Sequence, residues 1–68
     1  MAVVQVHMWA GRSVDQKRRL CKAITDAMVE HCGAQRDGVH VVIYDIPKDS
    51  WARGGVMGVD RQDIPHEP

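Results

Sequence analysis

Two strand-like segments flank one helical segment and account for most of a 68-residue chain, and this order is the strongest constraint on its fold. Residues 3 to 9, VVQVHMW, put Val4, Val6 and Met8 on one face and Val3, Gln5, His7 and Trp9 on the other. Period-two alternation with β-branched residues signals a strand. Ala10-Gly11 ends it. Residues 39 to 45, VHVVIYD, repeat the pattern, with Val39, Val41 and Ile43 opposed to His40, Val42 and Tyr44. Pro47 discourages continuation, because proline cannot donate to a strand ladder.

Between them the period changes to that of a helix. Ser13 and Gln16 have capping-box spacing, and Asp15 suits the positive end of a helix. Leu20, Ile24, Ala27, Met28 and Cys32 form an apolar stripe, while Lys17, Arg18, Lys22, Asp26 and Glu30 lie off it. Gly33 supplies a C-terminal stop. The helix spans one strand length and returns the chain, which predicts parallel strands and a right-handed crossover. Residues 47 to 58, PKDSWARGGVMG, are turn-rich, with Gly54-Gly55 marking a tight turn and a short hairpin. Residues 62–68 read as an extended tail. The expectation is one α+β domain over 1–68, a β-α-β unit with a C-terminal hairpin or arm.

Two strands and a helix do not close a core. The helix covers one sheet face; the other face and both edges stay open. A domain of this size is marginal by itself and is usually supported by disulfides, a metal or partner subunits. Cys21 and Cys32 are the only cysteines, and eleven residues of helix hold them roughly 16 Å apart, too far for a disulfide. Reduced thiols suit a cytoplasmic protein. His31 and Cys32 diverge on a helix, and His7, His40 and His66 are scattered, so no metal is expected. Subunit association remains, and it would cover the open face and Trp9.

The net charge is zero, with cations and acids interspersed. That argues against nucleic acid as a partner. No apolar run approaches the ~18 residues of a membrane helix, and no basic-then-apolar segment precedes the first strand. The first strand starts at residue 2, although domain termini are commonly loose unless something ties them down.

The runs VVQVHMWAGRSVDQKRRL and VHVVIYDIPKDSW, and the Gly54-Gly55 pair after Trp51, resemble the 4-oxalocrotonate tautomerase family over residues 2 to about 61. The GRS-x-x-QK run at the strand-helix junction is the most specific of these. The resemblance implies β-α-β subunits that dimerise and assemble, most often as hexamers, into tautomerases of small unsaturated 2-hydroxy and 2-oxo acids. It implies no cofactor. The family's base is an amino-terminal proline exposed by removal of the initiator methionine, which gives the early strand start a purpose. That place is held here by Ala2. The family's first arginine matches Arg12, its second falls on His40, and its aromatic pocket wall falls on Trp51. The usual glycine after the aromatic is Ala52, while Gly54 and Gly55 match.

The departures bear on activity. After removal of Met1, Ala2 carries a primary amine, which can act as a base or form an imine but lacks the fixed ring of proline. Reduced activity is therefore expected. Arg12 is either a solvated arginine or an anion ligand; a cation near a helix start opposes the dipole, which makes a substrate carboxylate a suitable counter-charge. His40 is either a plain strand residue or, when protonated, a donor to substrate. Trp51 can be covered by a neighbouring subunit and still line a pocket. Arg53 and Arg61 are either surface charges or substitutes for the second arginine. The alternatives to a tautomerase are a proline-less, non-catalytic subunit of a mixed hexamer, or a hydratase, dehalogenase or decarboxylase using the same pocket.

Overall fold

The structure, a computed structural model, describes residues 1–63. It runs from β1 (Ala2–Trp9) through α1 (Val14–Cys32) to β2 (Val39–Ile46). Single 3-10 turns at Arg36–Gly38, Lys48–Ser50 and Gly58–Asp60 link the remainder, and β3 (Ala52–Arg53) and β4 (Val56–Met57) form a small hairpin. The expected tail over 62–68 is described only at Gln62 and Asp63; residues 64–68 lie outside the described residues.

Local chemistry sets the elements. Gly11, at φ 132°, makes the turn out of β1 in a backbone region closed to other residues. Ser13 then caps α1: its Oγ accepts from the Gln16 N–H at 3.1 Å, and Gln16 Oε1 accepts from the Ser13 N–H at 2.8 Å. A cap of this kind is worth about 1 kcal/mol. At the other end Gly33 takes φ 65°, and its N–H donates to the Met28 carbonyl. This left-handed close satisfies a carbonyl that the helix would otherwise leave unpaired.

β1 and β2 are parallel, with Ala2 opposite Val39 and Trp9 opposite Ile46. Val4, Val6, Met8, Val39, Val41 and Ile43 are half-buried and share the face packed on α1. On the other face Val3 pairs with His40, Gln5 with Val42 and His7 with Tyr44. All six are exposed there, and the His7 and Tyr44 rings stack with centroids 4.5 Å apart. Among the described residues no apolar side chain is buried. No helix among them is long and apolar enough to cross a membrane.

Two details of the helix differ from the sequence reading. Ala27 and Cys32, assigned to the apolar stripe, are exposed, whereas Lys17, assigned to the solvated face, is half-buried. The covered side is centred on Leu20, Cys21, Ile24 and Met28, so Ala27 falls at its edge by about a quarter turn. Cys32 ends the helix, past the covered stretch. Lys17 lies along the covered side, and its ammonium reaches the Asp45 carboxylate at the end of β2. This contact, 28 residues apart in sequence, ties helix to sheet.

Candidate functional site

The sheet is the ruler on which the candidate residues are laid out. In a parallel pair the two strand starts lie at one end and the two strand finishes at the other. Ala2 opens β1, and His40 is the second residue of β2, so both lie at the starting end. Arg12 follows β1, and Trp51 follows β2, so both lie at the finishing end. The strand of eight residues between them spans roughly 23 Å at ~3.3 Å per residue. Within one subunit the four expected site residues therefore form two pairs at opposite ends rather than one cluster.

At the starting end, Ala2 is half-buried on the helix side of the sheet, and His40 is exposed on the open side beside Val3. A cleft of about 290 Å³ opens there beside Met1 and Ala2, walled by Met28 and Cys32 of α1 and by Ala34, Gln35 and Gly38. Among the described residues no charged side chain is part of these walls. Gln35 and Gly38 sit in the connection between α1 and β2, and nothing in their sequence context marked them as cavity residues.

At the finishing end, Arg12 is half-buried immediately before the helix cap, and its Nη1 donates a long hydrogen bond, 3.4 Å, to the Trp9 carbonyl. Asp15, the acid nearest in sequence, is held by Arg18 at 2.7 Å. Among the described residues no carboxylate pairs with Arg12. A guanidinium beside helix N–H groups and without a carboxylate has its charge available for an anion.

Trp51 is half-buried, in extended backbone, and is fixed from behind: its carbonyl accepts from the Gly58 N–H at 2.6 Å. The β3–β4 hairpin between them turns on Gly54 and Gly55 at φ 62° and 82°, the two positive values that a two-residue turn of this hand requires. Gly58 itself is buried against Trp9, whose ring also carries the Lys48 ammonium 4.9 Å from its centroid. The chain's own C-terminal segment thus provides part of the cover for Trp9.

The two extra cations behave differently. Arg61 grips Asp63 through Nε at 2.6 Å and Nη2 at 2.5 Å, and its Nη1 donates to the Arg53 carbonyl at 3.2 Å. Those hydrogen bonds hold the Asp63 carboxyl down to about 2 and raise Arg61. Arg53 remains exposed on the hairpin and adds to the field on Asp63. Among the described residues no three His, Cys, Asp or Glu side chains gather as a metal site requires.

Comparison with known proteins agrees with this architecture. The profile of the family described as tautomerase enzyme matches residues 3–61. The chain is 38% identical over 64 residues to the 2-hydroxymuconate tautomerase of Comamonas testosteroni, covering 94% of this chain and 97% of that one. A 4-oxalocrotonate tautomerase isozyme structure from Methylibium petroleiphilum superposes with a TM-score of 0.78 at 38% identity, covering 87% of this chain and 98% of the other. The heterohexamer 4-oxalocrotonate tautomerase of Chloroflexus aurantiacus superposes with a TM-score of 0.81 at 27% identity, over 88% and 97% of the two chains.

Proposed function

This chain belongs to the tautomerase family, and on that premise we propose that it moves a proton within small unsaturated 2-hydroxy and 2-oxo acids, converting enol to keto form. The observation that carries the reading is the half-site at the finishing end: an Arg12 that has no carboxylate partner among the described residues, and a Trp51 whose carbonyl accepts from the Gly58 N–H at the same end of the sheet. Because Ala2 and His40 lie at the opposite end, the working site draws its two halves from different subunits. An open sheet face and the lack of any buried apolar side chain among the described residues support such an assembly. We propose a hexamer of this chain, located in the cytoplasm.

In this mechanism removal of Met1 frees the nitrogen of Ala2. An α-amine has an ordinary value of ~7.7–8.0, close enough to neutral pH to take and return a proton. It accepts the enol O–H proton as the double bonds shift, then delivers that proton to a carbon of the conjugated chain. One O–H bond breaks and one C–H bond forms, with no redox change. Arg12 from a neighbouring subunit binds the carboxylate in two-point fashion. Trp51 walls the reacting chain from water, which strengthens the charge interactions inside. His40 donates an imidazole N–H to the substrate oxygen. A primary amine on a rotatable bond is less well positioned than a ring nitrogen, so the rate is lower than with proline.

The test assays the protein with an enol acid after its terminus has been identified by intact mass. Turnover that requires a free nitrogen at residue 2 supports the reading; equal turnover with Met1 retained contradicts it.

A second reading is favoured by one observation: the half carrying Arg12 and Trp51 keeps the family residues, whereas Ala2 and His40 replace both expected groups of the other half. Such a chain suits a mixed hexamer in which a proline-bearing subunit supplies the base. Co-purification with a second tautomerase chain in fixed ratio supports that reading, and homogeneous assembly with turnover contradicts it.

A further inference from the structure

Resting on the proposed proton transfer at residue 2, we infer that Arg53 is the second carboxylate-binding residue of the site: of a dicarboxylic enol acid, Arg12 holds one carboxylate and Arg53 the other.

The need arises at position 40. The resemblance puts a second arginine there, and this chain has His40, an imidazole on the open side of the sheet. Arg53 and Arg61 follow Trp51 in the chain, and the structure tells them apart. Arg61 is occupied: Asp63 takes its Nε and Nη2, and its Nη1 donates to the Arg53 carbonyl. Arg53 is exposed, and among the described residues no hydrogen bond or ion pair engages its side chain. Its charge reaches Asp63 only as a field, because Arg61 grips that carboxylate at two points.

Placement is the second ground. Trp51 has extended backbone, φ -136° and ψ 119°, and β3 continues it through Ala52 and Arg53. Side chains alternate along such a segment, so Trp51 and Arg53 share one side, roughly 7 Å apart, and Ala52 takes the other. The Gly58 N–H donated to the Trp51 carbonyl extends the Ala52–Met57 and Arg53–Val56 register by one pair, which sets Gly58 opposite Trp51. Directly opposite residues share a face. A Cβ at Gly58 would meet the Trp9 indole at 2.8 Å, and the Trp9 carbonyl accepts from Arg12. One side of the hairpin thus carries Trp51 and Arg53 and abuts, at its base, the residue that holds Arg12. A substrate lying along the Trp51 indole has a guanidinium towards each end, Arg12 from the base and Arg53 from the tip. The hydrogen bond from Arg61 fixes the backbone from which the Arg53 stem extends.

Titration calorimetry of the assembled protein with Met1 removed tests this with two unreactive probes, hexanedioate and hexanoate. Hexanedioate should bind about ten-fold more tightly, the low end of what one more charged hydrogen-bonding partner supplies. Arg53→Gln keeps the stem and removes the charge; it should weaken hexanedioate about ten-fold and leave hexanoate unchanged, while Arg53→Lys should keep part of the preference. Arg18→Gln, an equal loss of charge on the exposed helix face, should leave the ratio as it was. No preference for hexanedioate in the parent, a preference that survives Arg53→Gln, equal weakening of both probes, the same loss in Arg18→Gln, or binding of neither probe overturns the inference. Turnover of 2-hydroxymuconate, the dicarboxylate for which the Comamonas testosteroni relative is named, separates this from the reading beneath it. Arg53→Gln should raise KM about ten-fold with kcat little changed. No turnover by the parent, with the Arg53-dependent preference intact, overturns the proton-transfer reading alone. Turnover with KM unmoved by Arg53→Gln overturns the Arg53 inference alone.

Discussion

Gly58 lies so close to Trp9 that a Cβ there would sit 2.8 Å from the indole Cζ2 and 3.2 Å from the Lys48 carbonyl oxygen. This contact docks the segment after β2 on the end of β1, and through the Gly58 N–H it fixes the Trp51 backbone as well. Gly58→Ala should therefore destabilise the protein by about 1–3 kcal/mol through overpacking. Denaturant unfolding followed by tryptophan fluorescence measures it. An unchanged midpoint would show that the ring has room to move.

The exposed row of Val3, Gln5, His7, His40, Val42 and Tyr44 is expected to be an interface. Light scattering at micromolar concentration should give a hexamer, and Val42→Asp should yield smaller species by placing a charge on that face. A stable folded monomer of ~8 kDa would contradict the assembly and, with it, a site shared between subunits.

Arg12→Ala should lower kcat/KM for a carboxylate substrate by about 2–3 kcal/mol, roughly 30- to 150-fold, because one charged hydrogen-bonding partner is lost. Thermal stability should change little, since the side chain makes one long hydrogen bond to Trp9. Parental turnover in the variant would remove Arg12 from the site.

The Arg61–Asp63 pair gives a pH prediction. Asp63 is lowered to about 2 by hydrogen bonds from Arg61, so its folded value lies below the ordinary 3.8. A depressed carboxyl favours the folded state at all pH values above the ordinary one, and that contribution is lost as pH falls from there through about 2. A carboxyl-carbon NMR titration should place Asp63 near 2, and Arg61→Gln should return it towards 3.8. An ordinary titration in the parent protein would contradict the two-point grip.

Much of this was legible in the sequence for local reasons. Ser13 with Gln16 announced the helix start, Gly33 its end, and Gly54-Gly55 the hairpin, because each needs only a few neighbouring residues. Period-two alternation gave the faces of both strands. Lys17 was misplaced because its partner, Asp45, lies 28 residues away and becomes a neighbour only when β2 pairs with β1. The stack of His7 on Tyr44 depends on the same register. The family resemblance supplied Ala2, Arg12, His40 and Trp51 as a set. Their separation to opposite ends of one sheet follows from parallel topology, and the cleft around Gln35 and Gly38 depends on how α1 turns back into β2.

Ala2→Pro should raise turnover of an enol acid by about 10²–10⁴, the range a positioned general base supplies. The gain should require removal of Met1, since an acylated nitrogen is not basic. Equal rates with both termini free would assign the base elsewhere, with His40 the next residue to substitute.

The central claim is that each site joins a terminal nitrogen from one subunit to Arg12 of another. Subunit mixing in the Ala2→Pro background tests it directly. One protein carries Arg12→Ala; the other carries an uncleaved extension before residue 2, so that its nitrogen is an amide. Each is expected to be inactive alone. Dissociated, mixed in equal amounts and reassembled, they should recover activity at about a quarter of the sites, as random pairing of subunits gives. Mixed oligomers, identified by mass, that stay inactive would contradict a site shared between subunits.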